Sequence, residues 1–304
     1  MTVTAASAVH ARGLCVDYDE RPVLRDCSFA VPRGSLCGLV GRTGAGKTSL
    51  LRTVAGLTTP HRGSVTVGGE RVVVGQVARA AFQERPEPSS PAQTVSEILG
   101  RAKSINADFM QPFAAAWLDE FDVPTRGACD HLSGGDRAHL SMAIALGSRT
   151  PLILLDEPLS GLDDVARRRV ATRLRQVAAE RRTTIVLTSD AVADLADFID
   201  HVVLIERGRA LLSGPVGAVR GAYRLLETPL GARSQLISVL RLASTGARAE
   251  GARHDGRVLV PVHRVPSPDR LPAGTRVSVP DLASVVAAVM GQVVEPPLQQ
   301  AGEV

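Results

Sequence analysis

SLCGLVGRTGAGKTSLLRTVAGL (Ser35–Leu57) decides the fold. SLCGLV has the length and apolar texture of a buried strand, and KTSLLRTVAGL has the spacing of a helix. Between them, GRTGAGKT (Gly41–Thr48) fits the pattern G-x-x-x-x-G-K-[ST]. Gly41, Gly44 and Gly46 permit a tight loop, so that the amides of this stretch, Arg42, Thr43 and Ala45 included, can turn inward onto phosphate oxygens. The helix starting at Lys47 adds its positive end. Lys47 reaches the outer phosphates as a point charge. Thr48, followed by Ser49, offers a hydroxyl to Mg²⁺.

PLILLDEP (Pro151–Pro158) is a second strand, and Asp156 emerges at its C-terminal end, where open α/β sheets bind ligands. Asp156 suits a Mg²⁺ shell, and the adjacent Glu157 can polarise an attacking water. A third apolar strand, TTIVLTS (183–189), follows the amphipathic DDVARRRVATRLRQVAAE. Apolar strands alternating with helices imply a parallel sheet covered on both faces.

LSGGD (Leu132–Asp136), with the two motifs above, resembles the signature sequence of ABC transporter ATPases, which usually ends in Gln. Other pieces follow in matching order. Tyr18 stands where that family stacks an aromatic ring on adenine. Gln83 in AFQE resembles the loop glutamine that contacts Mg²⁺ and the attacking water. SGLD (Ser160–Asp163) resembles the segment that crosses the dimer interface. The resemblance spans roughly residues 9–215. It implies an α/β fold, a P-loop NTPase core of the ABC ATPase type with antiparallel β and helical subdomains. It also implies ATP as ligand and a second ATPase chain, in a homodimer or heterodimer, closing head to tail. Ser133, Gly134 and Gly135 of one chain would then meet the γ-phosphate held by Lys47 of the other. Independently of family, S-G-G at a helix start offers a hydroxyl and close-packed amides, and Ser133 with Asp136 also reads as a capping box.

Two positions depart from the family pattern. Asp136 replaces glutamine and puts a negative charge near a partner's γ-phosphate. Asp190, ten residues before Asp200, replaces a histidine that hydrogen-bonds the γ-phosphate; an ionised aspartate can only accept. Like charges near 4 Å repel by about 1 kcal/mol in water and about 4 kcal/mol at an effective dielectric of 20. Three roles stay open for Asp190: capping a following helix (AVADLADFID), joining the metal or water shell, or slowing hydrolysis. With Glu157 retained, the expectation is a weakened enzyme.

The rest of the chain bounds the reading. Among 304 residues, 44% are hydrophobic and 22% charged, with a net charge of +4 and no long basic block. No nucleic-acid partner is expected, and the Arg167–Arg169 run reads as a solvated helix face. Only Lys47 and Lys103 among the 35 basic residues are lysines. The four cysteines lack metal-ligand spacing and are expected to be reduced thiols. LASVVAAVMGQVV (Leu282–Val294) falls short of the ~20 residues that span a bilayer. The expected location is cytoplasmic, peripheral on the inner face of the membrane.

The expected organisation is an ATPase domain at 1–220, with a helical subdomain at about 92–147, and a small α+β domain at 221–304. RVVVG (71–75) reads as a strand. The expected function is the ATP-hydrolysing subunit that powers a separately encoded permease. The C-terminal extension resembles that of drug- or polysaccharide-export systems, so export is expected. Two alternatives stay open: a soluble regulatory ABC ATPase, and a weakly hydrolytic nucleotide-gated binding protein, as half of an asymmetric heterodimer.

Overall fold

The computed structural model describes residues 7–18, 21–75, 80–84, 93–242 and 257–291. They fall into two compact units, Met1–Gly214 and Pro215–Val304. The boundary read from the sequence, between 220 and 221, lies six residues further on.

The first unit holds two sheets. One is antiparallel, ordered β2-β1-β4-β5, from β1 (Ser7–Tyr18), β2 (Arg21–Pro32), β4 (Arg62–Val67) and β5 (Glu70–Arg71). Alternation, shifted by an irregularity between Ala11 and Leu14, decides its inner face: Val9, Ala11, Leu14 and Val16 of β1 and Leu24, Cys27, Phe29 and Val31 of β2 are buried. The expected strand RVVVG is mostly not one. β5 ends at Arg71, and Val73 and Val74 are exposed. Val72 still donates its amide to the Val65 carbonyl, after which the chain leaves the sheet edge.

The other sheet runs β10-β9-β3-β8-β7-β6, with β3 (Leu36–Val40), β6 (Ala80–Gln83), β7 (Leu152–Leu155), β8 (Thr184–Ser189), β9 (His201–Glu206) and β10 (Arg209–Pro215). Pairing is parallel from β9 through β3, β8 and β7 to β6. β3, β7, β8 and β9 are buried at every residue, which is why their sequences are predominantly apolar. α1 (Lys47–Val54) lies in the core between the sheets: Leu50, Leu51 and Val54 cluster with Val9, Leu14, Leu39, Leu154 and Val186. Each such side chain contributes about 1.5–3 kcal/mol of burial. This cluster is the platform beneath the phosphate loop.

Three helices fill most of residues 94–147: α2 (Val95–Ile105), α3 (Gln111–Glu120) and α4 (Gly134–Gly147). Two of the starts carry side-chain caps, the second of them read from the sequence. Thr94 with Glu97, and Ser133 with Asp136, form complete capping boxes. Trp117 and Leu118 of α3 and Leu140, Met142 and Leu146 of α4 are buried. α5 (Asp164–Arg181) is capped by Asp163 and buries Val170, Leu174 and Val177. Its Arg run is not merely solvated. Arg167 pairs with Asp194 at 2.9 Å, and Arg169 donates to the Glu120 carbonyl.

The second unit contains α6 (Val216–Gly221), β11 (Tyr223–Glu227), α7 (Arg233–Leu242), β12 (Arg257–Pro261), β13 (Arg276–Ser278) and α8 (Leu282–Gly291). The strands form an antiparallel sheet ordered β12-β11-β13. Leu226, Leu236, Leu240, Val258 and Val260 make its core.

Candidate phosphate and metal site

The parallel register assembles the site. Gln83 pairs with Leu155, Leu155 with Leu187, and Leu187 with Gly38. One residue further along, Asp156 therefore stands beside Thr188. Two residues beyond that, Asp190 stands beside Gly41, which donates its amide to the Ser189 carbonyl at 3.3 Å. All these groups leave the same edge of the sheet, at the C-terminal ends of its strands.

A Cβ on Gly41 would lie 2.2 Å from the Ile205 carbonyl oxygen. Gly46 has φ 105°, a conformation costly for any L side chain, and it caps α1. Lys47 opens α1 and is 5% exposed. Its ammonium donates to the carbonyls of Gly41 (2.8 Å) and Arg42 (3.2 Å) and to Oδ1 of Asp190. Thr43 donates to the other carboxylate oxygen of Asp190 at 2.6 Å.

Thr48 and Asp156 meet, with Oγ1 2.7 Å from Oδ2. Asp156 is buried, and its amide donates to the Gln83 carbonyl at 2.9 Å. A hydroxyl and a carboxylate offered together are hard oxygen donors and fit a divalent cation of the Mg²⁺ type. The Gln83 side chain itself turns to the Glu84 carbonyl at 3.2 Å. Glu157 sits at φ 48°, in the left-handed region that a non-glycine residue occupies at a cost of about 1–3 kcal/mol. It is held there at both ends: its amide donates to Thr188 Oγ1 at 2.7 Å, and its carbonyl accepts from the Ser160 amide at 3.0 Å.

Thr188 escaped the sequence reading. Its hydroxyl is 2.7 Å from Asp156 Oδ1 as well as from the Glu157 amide, so one buried group orients both acids. The signal was a threonine inside an otherwise apolar strand. Glu206, at the end of β9, was also missed. It is buried, lies 3.8 Å from the Arg42 guanidinium, and its Oε2 has no hydrogen-bond partner among the described residues.

For Asp190, the first of the three open roles falls away. It does not cap a helix, because Val192–Asp194 forms only a 3-10 turn. The Ser189 hydroxyl makes the local turn contact, accepting from the Ala191 amide at 3.1 Å. The segment beyond is shaped by packing: Leu195 and Ile199 press on Gly38, and the Asp200 amide returns to the Leu36 carbonyl.

Tyr18 ends β1, pairs with Arg21 and places its hydroxyl 3.3 Å from that of Thr58. Ser49 is half-buried, and its carbonyl accepts from Thr53. Ser133 and Gly134 are exposed at the start of α4, with Gly135 against Leu162. Asp136 accepts from the Ser133 hydroxyl at 2.7 Å and the Ser133 amide at 3.1 Å.

Comparison with known proteins agrees with this geometry. The family described as ABC transporter matches residues 24–160. The chain is 31% identical over 263 residues to an aliphatic sulfonates import ATP-binding protein of Burkholderia lata, covering 85% of this chain and 80% of that one. A protein of the same description from Rhodopseudomonas palustris is 34% identical, covering 73% and 79%. Both names denote import, where the sequence reading expected export. A solved ATP-binding subunit of an ABC transporter superposes with a TM-score of 0.63 at 25% identity, covering 71% of this chain and 92% of that one. The loop around Lys47, the acids Asp156 and Glu157, and these likenesses together place the chain in the ABC transporter family, as an ATP-binding subunit whose reaction is ATP hydrolysis.

Proposed function

We propose that this subunit drives uptake through a separately encoded membrane permease, working on the cytoplasmic face of the membrane with a second ATP-binding chain. The meeting of Thr48 and Asp156, with Glu157 next on the same strand end, carries the reading. Lys47 and the loop amides would bind the phosphates, and Thr48 and Asp156 would hold Mg²⁺. The cation would supply charge neutralisation on the phosphate oxygens. Glu157, fixed by Thr188, orients the attacking water and takes its proton. The exposed Ser133–Gly134 helix start offers a hydroxyl and amides to a second chain's nucleotide, which favours head-to-tail pairing. The import names of the relatives support uptake. A permease supplies the passage across the membrane, since no helix among the described residues is long and apolar enough to cross one.

A second reading, a weakly hydrolytic nucleotide-gated subunit, is favoured by two contacts. Asp136 engages Ser133 and Asp190 engages Lys47, each at a group expected to meet phosphate. Steady-state hydrolysis measured against protein concentration separates the two. Activity rising faster than linearly, and falling by about 100-fold or more in Glu157→Gln, supports a self-pairing ATPase. Activity equal to that of Glu157→Gln supports the gated reading.

A further inference from the structure

We propose that Asp190 is a resident counter-ion that competes with the terminal phosphate of the nucleotide for Lys47, and so sets how strongly this site prefers ATP over ADP. An ammonium has three donors. Those of Lys47 meet two main-chain carbonyls and the Asp190 carboxylate, so among the described residues its ionic partner is a side chain of its own protein. Thr43 takes the second carboxylate oxygen. Asp190 thus bridges two residues of the phosphate loop from outside it.

The placement is built into the sheet. Val40 pairs with Ser189, and the Gly41 amide closes on the Ser189 carbonyl, so β8 must deliver its next residue beside the loop. Register therefore fixes where residue 190 stands, and its side chain reaches Lys47 and Thr43 from there. The Asp190 side chain is 44% exposed, which leaves it a solvent-facing direction in which to swing away. It is a latch and not a permanent block.

Electrostatics decides the direction of the effect. A terminal phosphate oxygen bonded to Lys47 would share the ammonium with a second anion. Either the carboxylate leaves, or the two anions repel at close range. Affinity for a ligand that needs Lys47 is lowered by the fraction of time the carboxylate holds it. ADP, lacking the terminal phosphate, asks less of Lys47 and is affected less. The carboxylate accordingly narrows the margin between ATP and ADP.

The inference rests on the nucleotide site described above, and the test separates its failure from that of the site. ATP and ADP affinities are measured by calorimetry with Mg²⁺ on the full chain carrying Glu157→Gln, alone and with Asp190→Asn, Asp190→Ala or Asp190→Glu. Removing the charge is expected to tighten ATP by about fivefold or more and ADP by less than about twofold. Asp190→Glu, which keeps the charge, is expected to leave the ATP-to-ADP ratio near its starting value. Equal changes for both nucleotides, or weaker ATP binding in Asp190→Asn and Asp190→Ala alike, would overturn the proposal and make Asp190 a brace for the loop. No binding by any of the chains, with Lys47→Ala indistinguishable from them, would overturn the site itself.

Discussion

Thr188 and Asp156 stand side by side on neighbouring parallel strands, with Oγ1 and Oδ1 2.7 Å apart, and the same hydroxyl receives the Glu157 amide. Thr188→Val keeps the shape and removes both bonds. The buried partners left unsatisfied should cost about 1–3 kcal/mol of stability. Loss of their orientation should weaken metal dependence or turnover by about 10–100-fold. The Mg²⁺ concentration giving half-maximal hydrolysis checks this, and Thr188→Ser should restore it.

Gly41→Ala should abolish nucleotide binding before it abolishes folding. The new methyl would sit 2.2 Å from the Ile205 carbonyl, so the loop must move off β9. Overpacking of this kind costs about 1–3 kcal/mol, felt at the phosphate loop first. Thermal unfolding and ATP binding measured on the same variant separate the two effects.

Asp136→Gln should free the Ser133 hydroxyl from a charged acceptor while keeping a capping-box side chain. Stability should fall by about 0.3–1 kcal/mol, because an anion leaves the first turn of α4. If the subunits pair through this helix start, hydrolysis should rise at a given protein concentration. A thermal melt and a concentration series of hydrolysis rates read the two consequences independently.

His139 makes the helical region acid-sensitive. Its ring is buried and stacks on Phe121 at 4.3 Å between centroids. Burial pushes its pKa down to about 4; the nearby Arg169 pushes the same way, while Asp136 opposes both. The unfolded ring takes up a proton below its ordinary value near 6.5, whereas the folded ring stays neutral to about 4. Stability is therefore full above pH 6.5 and declines as pH falls toward 4, by about 1–3 kcal/mol. Amide exchange in α3 and α4 across this range should show the loss, and His139→Leu should flatten it.

Much of this site could be read from the chain alone because its motifs are local. Gly41–Thr48 specifies its own loop, since glycine is needed where φ is positive or a carbonyl is close. Ser133 with Asp136 specifies its own helix start, because both partners lie within one turn. The apolar runs of β3 and β7 likewise report strands covered on both faces.

What the sequence could not supply was register. Leu155 pairing with Leu187 is what sets Thr188 beside Asp156, and Val40 pairing with Ser189 is what delivers Asp190 to Lys47. These partners are separated by 32 and 143 residues along the chain. The side chains of a strand end also obey tertiary packing before local propensity. AVADLADFID has helical texture, yet Leu195 and Ile199 are drawn onto Gly38, and the chain turns instead of winding. The sequence by itself determined the fold, the phosphate loop and the two acids. The tertiary structure decided which hydroxyl aligns those acids and which carboxylate answers the lysine, because only strand pairing brings such distant groups within hydrogen-bond reach.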